Sequence, residues 1–393
     1  MDRAGLKITL LFGASLTVMS GATISPSLPA LRDQFAETAN IEVLARLVLT
    51  LPALFIAITA PLSGWAIDRL GRLKILMGGS VLYALAGMSG LVVDNITAML
   101  VGRAVLGVSV GLMMPTVTTL AGDYFQGEER GRYLGLQAAF MGFGGLVFVT
   151  GGGFLADLYW RAPFAIYGAS LLLIPMVIAF LPEPPRKVAP EIKTGEGRIP
   201  PVVFAIYGVA FFSMMAFYLV PTQLPFLLSG VIQIPEPSRA GMAIGVATLF
   251  SSAASLLYGR ITGRMPVALF FSAGLGLMAV AYALVWLSAG YGAILIAMIA
   301  LGTGMGTIMP ALSVTLLSAA PEHIRGRLAG GLTASIFLGQ FVSPILSQGL
   351  AGAIGGLQGV FAAFALALAL ACGLALIAGL RRSAKVAPVP AER

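Results

Sequence analysis

Stretches of roughly 20 apolar residues recur from one end of this chain to the other, and a bilayer core about 30 Å thick needs about that many helical residues per crossing. They fall near 8–31, 43–66, 73–93, 96–121, 133–156, 162–181, 202–229, 240–258, 267–288, 291–317, 328–351 and 356–380, with short charged connectors between them. The longest connector, PEPPRKVAPEIKTGEGRIPP from Pro182 to Pro201, reads as a flexible linker. Composition agrees, because 58% of the residues are hydrophobic and only 10% charged, far from the mixture found in soluble domains. An N-terminal secretion signal would also place Arg3 and Lys7 before an apolar run, but the run is too long and lacks a small-residue cleavage site, so it is expected to be the first crossing.

The net charge of +8 could point to nucleic acid, but the positions of the cations argue for membrane topology. With an even number of crossings and both termini cytoplasmic, only Arg32, Arg46, Arg161 and Arg239 of the 24 Lys and Arg fall near external ends, and Arg103 falls inside a span. That is the positive-inside pattern of a multi-pass protein, here expected in a bacterial plasma membrane, with some attraction to anionic lipid. One cysteine, Cys372, and one histidine, His323, exclude a disulfide framework or a His/Cys metal cluster within the chain. No cofactor is expected.

Shifting the sequence by 195 residues aligns its halves without a gap: Gly13 meets Gly208, Pro26 meets Pro221, Gly64 meets Gly259 and Arg69 meets Arg264. Gly107/Gly302, Gly111/Gly306, Met114/Met309 and Pro115/Pro310 also coincide, and Arg130-Gly131-Arg132 recurs as Arg325-Gly326-Arg327. A parallel repeat of six spans predicts two bundles related by an axis along the membrane normal, with a cavity between them. The expected layout is a six-helix bundle over 1–181, a cytoplasmic linker over 182–201, a second bundle over 202–381 and a tail over 382–393.

This repeat, together with GWAIDRLGRLK at Gly64–Lys74, strongly resembles the major facilitator superfamily over essentially the whole chain. Gly64, Asp68, Arg69, Gly71, Arg72 and Lys74 match that family's loop between spans two and three. The short SPSLPAL segment resembles the drug/proton antiporter branch. The resemblance implies an all-α integral membrane fold of twelve transmembrane helices in two pseudo-symmetric bundles. It implies further that the loop, with Asp123, latches the halves on the cytoplasmic side when the cavity faces outward. Gly64 would let a neighbouring helix approach, and Asp68 would face Arg72 or a helix N-terminus. In the second copy Gly263 stands where the acid would be. Antiporters of this family often carry a glycine series with Gly-Pro in the fifth span; here Gly135, Gly144, Gly152 and Gly153 are present, but Phe148-Val149 replaces Gly-Pro. Ser343-Pro344 occupies the matching offset in the second half.

An ionisable residue deep in a membrane is a functional candidate by default, and Arg103 is the one placed there. It resembles the Arg-x-x-x-Gly element of proton-linked exporters. Substrate binding or proton coupling is one expectation for it, and anchoring helices through backbone carbonyls is the other. If protons are coupled, Glu42 or Asp33 acting with Arg103 is the expected route. No acid lies deep in any span, so the cavity suits neutral, amphipathic or anionic molecules better than cations. In this superfamily spans one, four, seven and ten line the cavity. The expected wall is Met19, Thr23, Met113, Met114, Met214, Met215, Tyr218, Gln223, Met305 and Met309, with Phe140 and Gln340 from neighbouring spans, an adaptable surface for varied apolar ligands. Pro26 and Pro29 mirror Pro221 and Pro225 at points where paired helices would bend.

The function expected is secondary-active transport, as proton-coupled efflux by a monomer, with a small-molecule substrate, protons and membrane lipid as partners and no nucleic acid. A metabolite uniporter or importer is the alternative, and a non-transporting receptor a more distant one. No Gly-Lys-Ser/Thr loop exists for a P-loop ATPase, and no His-Glu-x-x-His or embedded acid pair for an intramembrane enzyme.

Overall fold

A computed structural model describes residues 3–183, 199–262, 265–288 and 290–385. Most of the 182–201 linker, the pair Gly263 and Arg264, and residues 386–393 of the tail lie outside the described residues. Among the described residues twelve helices are long and apolar enough to cross a membrane. These spans, one to twelve, are Arg3–Gln34, Ile41–Leu70, Arg72–Leu91, Ile96–Tyr124, Gly127–Leu158, Ala162–Phe180, Pro201–Gly230, Pro237–Ile261, Val267–Leu287, Tyr291–Ala319, Arg325–Ala351 and Gly356–Ala378. An even count returns the chain to the face where it starts, called the near face below; the opposite one is the far face.

Span six has only 19 residues. It compensates by opening with eleven residues of 3₁₀ helix, Ala162–Leu172, before eight of α-helix, Leu173–Phe180. At about 2.0 Å and 1.5 Å rise per residue respectively, the two pieces reach about 34 Å. A three-residue turn also stacks Phe164, Tyr167 and Ser170 on one buried face. Phe164 lies over Gly90, Tyr167 over Gly87, and the Ser170 hydroxyl donates to the Ser80 carbonyl at 2.9 Å. The glycines of span three are what admit those rings.

Spans one to six surround one apolar core that includes Leu16, Tyr83, Leu106 and Phe164, and spans seven to twelve surround another that includes Leu219, Tyr282, Leu301 and Phe361. The 195-residue offset is repeated in the packing. Gly107 and Gly111 lie against Pro52 and Ile56 of span two, while Gly302 and Gly306 lie against Ala247 and Ser251 of span eight. Likewise Gly79 faces Ser109 and Met113, and Gly274 faces Gly304 and Ile308. Each pair in the second half is its first-half counterpart plus 195, so the two bundles are copies at the level of single contacts.

The halves meet where span five packs on span eight and span two on span eleven. Span five's glycines divide between two neighbours: Gly142, Gly145 and Gly153 face Ser252, Thr248 and Gly241 of span eight, while Gly144 and Gly152 face Ser15 and Thr23 of span one. Gly135 has nothing within 4 Å. The mirrored prolines behave differently. Span one breaks into a single 3₁₀ turn at Ser25–Ser27 around Pro26, but span seven runs as one α-helix through Pro221 and Pro225. Pro225 has no N–H for the Pro221 carbonyl four residues earlier. The Ser25 hydroxyl donates to that carbonyl instead, so one half supplies the bond the other lacks.

Candidate functional site

A cavity of about 400 Å³ lies at the seam between the halves. Its wall carries methionine sulfur from Met114, Met141, Met214, Met305 and Met309, the rings of Phe217, Tyr218 and Phe337, and hydroxyls from Thr17, Ser20, Thr248, Ser251, Ser252 and Thr333. Gln340 is the amide in the set, and no Asp, Glu, Lys, Arg or His lines it.

Of the expected wall residues, Met114, Met214, Tyr218, Met305, Met309 and Gln340 face this space. The others do not. Consecutive helical residues point about 100° apart, so one member of Met113/Met114 and of Met214/Met215 must turn away. Met113 turns onto Gly79, and Met215 is buried in the second core. Met19 is buried in the first core. Thr23 donates to the Met19 carbonyl at 2.6 Å and packs on Gly152. Phe140 is 39% exposed and does not border the cavity. Met141, Phe217 and Phe337 are wall residues that sequence reasoning missed; span five was not expected to contribute a methionine.

Gln223 belongs to a seal on the far side. Eleven consecutive residues of span seven, Tyr218 to Leu228, are buried there, whereas in the near-face turns of the same helix only Val203, Ile206 and Ala210 are. The seal is polar at several points. Tyr218 donates to the Gly21 carbonyl at 3.2 Å, and the Asp157 carboxylate accepts the Ser238 N–H at 3.0 Å. At its centre Arg46 is 2% exposed; it donates to Gln223 at 2.8 Å and to the Glu42 carboxylate at 2.8 Å, and stacks on Phe226 with its guanidinium carbon 3.8 Å from the ring centre. Gln223 passes the chain on to Ser347 of span eleven at 2.7 Å. Arg46, which sequence places only among the cations near an external end, is buried at that end, and sequence alone assigns it no role there. The available signal was Glu42 one turn before it, an i,i+4 pair at the mouth of a span.

The structure does not bring Glu42 and Asp33 to Arg103, the partner expected for them if protons are coupled. Glu42 pairs with Arg46 and, at 3.6 Å, with Arg32; Asp33 pairs with Arg32 at 2.7 Å. Arg103 is fully buried away from the cavity. Its guanidinium donates to the carbonyls of Ala86 and Gly87 at 3.1 and 2.6 Å and sits 5.0 and 4.9 Å from the rings of Phe164 and Tyr167. Span three's α-helix ends at Met88, which frees those carbonyls. The anchoring alternative is the one this geometry matches.

On the near face, Gly71 holds the turn between spans two and three at φ +87°, a conformation that favours glycine. Arg72 pairs with Asp123 at 2.7 Å, its N–H donates to Glu183 at 3.1 Å, and the Tyr124 hydroxyl donates to the Pro182 carbonyl. Arg69 lies over Trp65 at 4.4 Å. Asp68 and Lys74 are exposed, and Asp68 makes no ion pair or hydrogen bond among the described residues, so it faces neither Arg72 nor the other half. Gly64 has no neighbour within 4 Å. With the far side closed, the loop is tied within its own bundle instead of latching two.

The family model described as Major Facilitator Superfamily matches residues 10–235 and 206–393. The 3-(3-hydroxy-phenyl)propionate transporter of Escherichia coli K12 is 26% identical over 346 residues, 84% of this chain and 83% of that protein. The quinolone resistance protein NorA of Staphylococcus aureus is 24% identical over 306 residues, 75% of this chain and 77% of its own. A bacterial homologue of the human lysosomal transporter Spinster, solved inward-facing and unoccupied, superposes with a TM-score of 0.77 at 18% identity over 99% of both chains, a likeness of fold.

Proposed function

We propose a function from one established premise: this chain belongs to the Major Facilitator Superfamily. It is a multi-pass membrane transporter and not an enzyme. Our reading is that it exports small neutral or amphipathic organic molecules by alternating access, driven by protons, with the near face in the cytoplasm. The observation that carries this is the cavity between two pseudo-symmetric bundles, walled by methionine, aromatic rings and hydroxyls without a formal charge, and sealed toward the far face. An anion would meet no cation there and a cation no carboxylate. The basic residues of the span two–three turn lie at the near face, which supports the cytoplasmic assignment. Relatives named for a phenyl-bearing acid and for quinolone resistance are consistent with ring-bearing solutes.

The proposed coupling element is Glu42 with Arg46. Glu42 is 46% exposed at the far side while Arg46 is almost wholly buried, so Glu42 is the member of the pair that water reaches. A neutral Glu42 removes the ion pair and leaves Arg46 held by Gln223, the Glu42 backbone carbonyl and the Phe226 ring, which weakens the seal that must open to release solute. In proteoliposomes, flux of a neutral polyaromatic dye should follow an imposed pH gradient and that of ethidium, a permanent cation, should not occur. Glu42→Gln should keep dye flux but lose its response to the gradient. Preferred transport of ethidium would overturn the reading of the cavity. The second reading, uptake or uniport of a metabolite, is favoured by the absence of a carboxylate from the cavity wall, and gradient-independent dye flux in the wild type would select it.

A further inference from the structure

Most of the polar groups in the cavity wall are already spent. Thr17 donates to the Ala14 carbonyl at 2.7 Å, Ser20 to Thr17 at 2.8 Å, Thr248 to Ile244 at 3.0 Å and Thr333 to Ala329 at 3.2 Å, each folding its hydrogen back into its own helix. Tyr218 spends its hydrogen on Gly21. These groups can accept from a solute but have no donor to offer without losing a bond. The hydroxyls of Ser251 and Ser252 make no hydrogen bond among the described residues, but each is a single rotating group on a partly buried site.

Gln340 is different in kind. It is 9% exposed, what exposure it has is to the cavity it lines, and its amide has no hydrogen-bond partner among the described residues. Its position is built: Thr333, Ile336, Phe337 and Gln340 of span eleven repeat at helical spacing on one cavity-facing stripe, and Gly339 beside it is pressed against the Phe211 carbonyl of span seven, which fixes the rotation of that helix. Its amide is not walled off by protein: it borders the cavity without a side-chain or backbone partner, so its hydrogen-bonding capacity is available to whatever fills that space. It presents an acceptor oxygen and two donor hydrogens on one rigid plane.

We infer that Gln340 is the polar anchor of the cavity, and that the solute it holds has an apolar, ring-bearing body with one uncharged group whose adjacent atoms donate and accept together, a carboxamide or a protonated carboxylic acid. This rests on the transporter reading of the same cavity and narrows its substrate class. A planar amide or acid can pair with the glutamine through two hydrogen bonds at once, and the methionine and phenylalanine wall takes the body. A group that only accepts leaves one side of the glutamine pairing unmade once the solute has displaced the water there, and sites built to hydrogen-bond a solute reject the analogue that lacks the matching group.

The test uses the full chain in lipid nanodiscs and calorimetric affinities for three probes: 2-naphthaleneacetamide, its accept-only counterpart methyl 2-naphthaleneacetate, and (2-naphthylmethyl)trimethylammonium. The wild type should bind the amide at least about tenfold tighter than the ester, and Gln340→Leu should bind the two alike. Equal affinities in the wild type, or a preference that survives in Gln340→Leu, would overturn the anchor while leaving the uncharged cavity standing. Preference for the trimethylammonium probe, or no binding of either neutral probe, would overturn that underlying reading and the anchor with it. The wild-type comparison needs no variant, so a poorly folded substitution does not hide the result.

Discussion

Arg46 and Arg103 are both buried arginines in apolar helices, and their neighbours separate them. Arg103 binds carbonyls and rings contributed by spans three and six of its own bundle, whereas Arg46 reaches across to Gln223 in the other half. Only the second contact must break if the halves separate. Arg103→Lys keeps a charge but loses the planar fork that meets two carbonyls and two rings. The expected result is a loss of about 1–3 kcal/mol in stability with unchanged affinity for a cavity probe. Unchanged melting with lost affinity would return Arg103 to the substrate site. Sequence made Arg103 conspicuous because it stands two turns inside a span, and hid Arg46 because a cation three residues inside an expected boundary looks like a surface charge. Which way a helix face points is set by the other eleven helices, and no local pattern encodes it.

Among whole elements, the glycine positions were the most legible part of the fold and their contacts the least. The repeat at 195 residues anticipated that Gly107 and Gly302 do the same job, and both press against the helix two spans earlier. Nothing in the spacing of Gly135, Gly144, Gly152 and Gly153 tells that the first faces open space and the third the Thr23 carbonyl. Leucine substitutions separate the two cases. Gly152→Leu must displace span one and should cost several kcal/mol, on the order of overpacking a tight core, or abolish expression. Gly135→Leu should leave melting temperature and yield within error of wild type, and a large loss there would mean that another helix comes close to it. The prolines carry a similar lesson. Pro26 and Pro221 are equivalent in sequence, yet only span one breaks, because the Ser25 hydroxyl serves the carbonyl that Pro225 leaves open. A bond between two halves cannot be seen from either one alone.

At the scale of the whole molecule, the proposed alternating access requires one chain to encode two arrangements, and the structure displays the one with its far side closed. The far side is closed by Arg46, Tyr218 and the buried end of span seven, while Asp68 and Gly64, which resemble a latch between bundles, engage nothing in the other half. Under the proposed alternating access, contacts of Asp68 and Gly64 with the other half would belong to the opposite arrangement, while Gly71, Arg72 and Arg69 of the same motif are engaged in this one. The seal can be trapped chemically, since Asp157 of span five and Ser238 of span eight meet across it at 3.0 Å and Cys372 is the one native cysteine to remove. The decisive measurement is dye flux in proteoliposomes for Asp157→Cys/Ser238→Cys in a Cys372→Ser background, before and after oxidation. A carrier that must open its far side should lose flux when the disulfide forms and regain it on reduction. Full flux through the cross-linked protein would contradict alternating access across this seam.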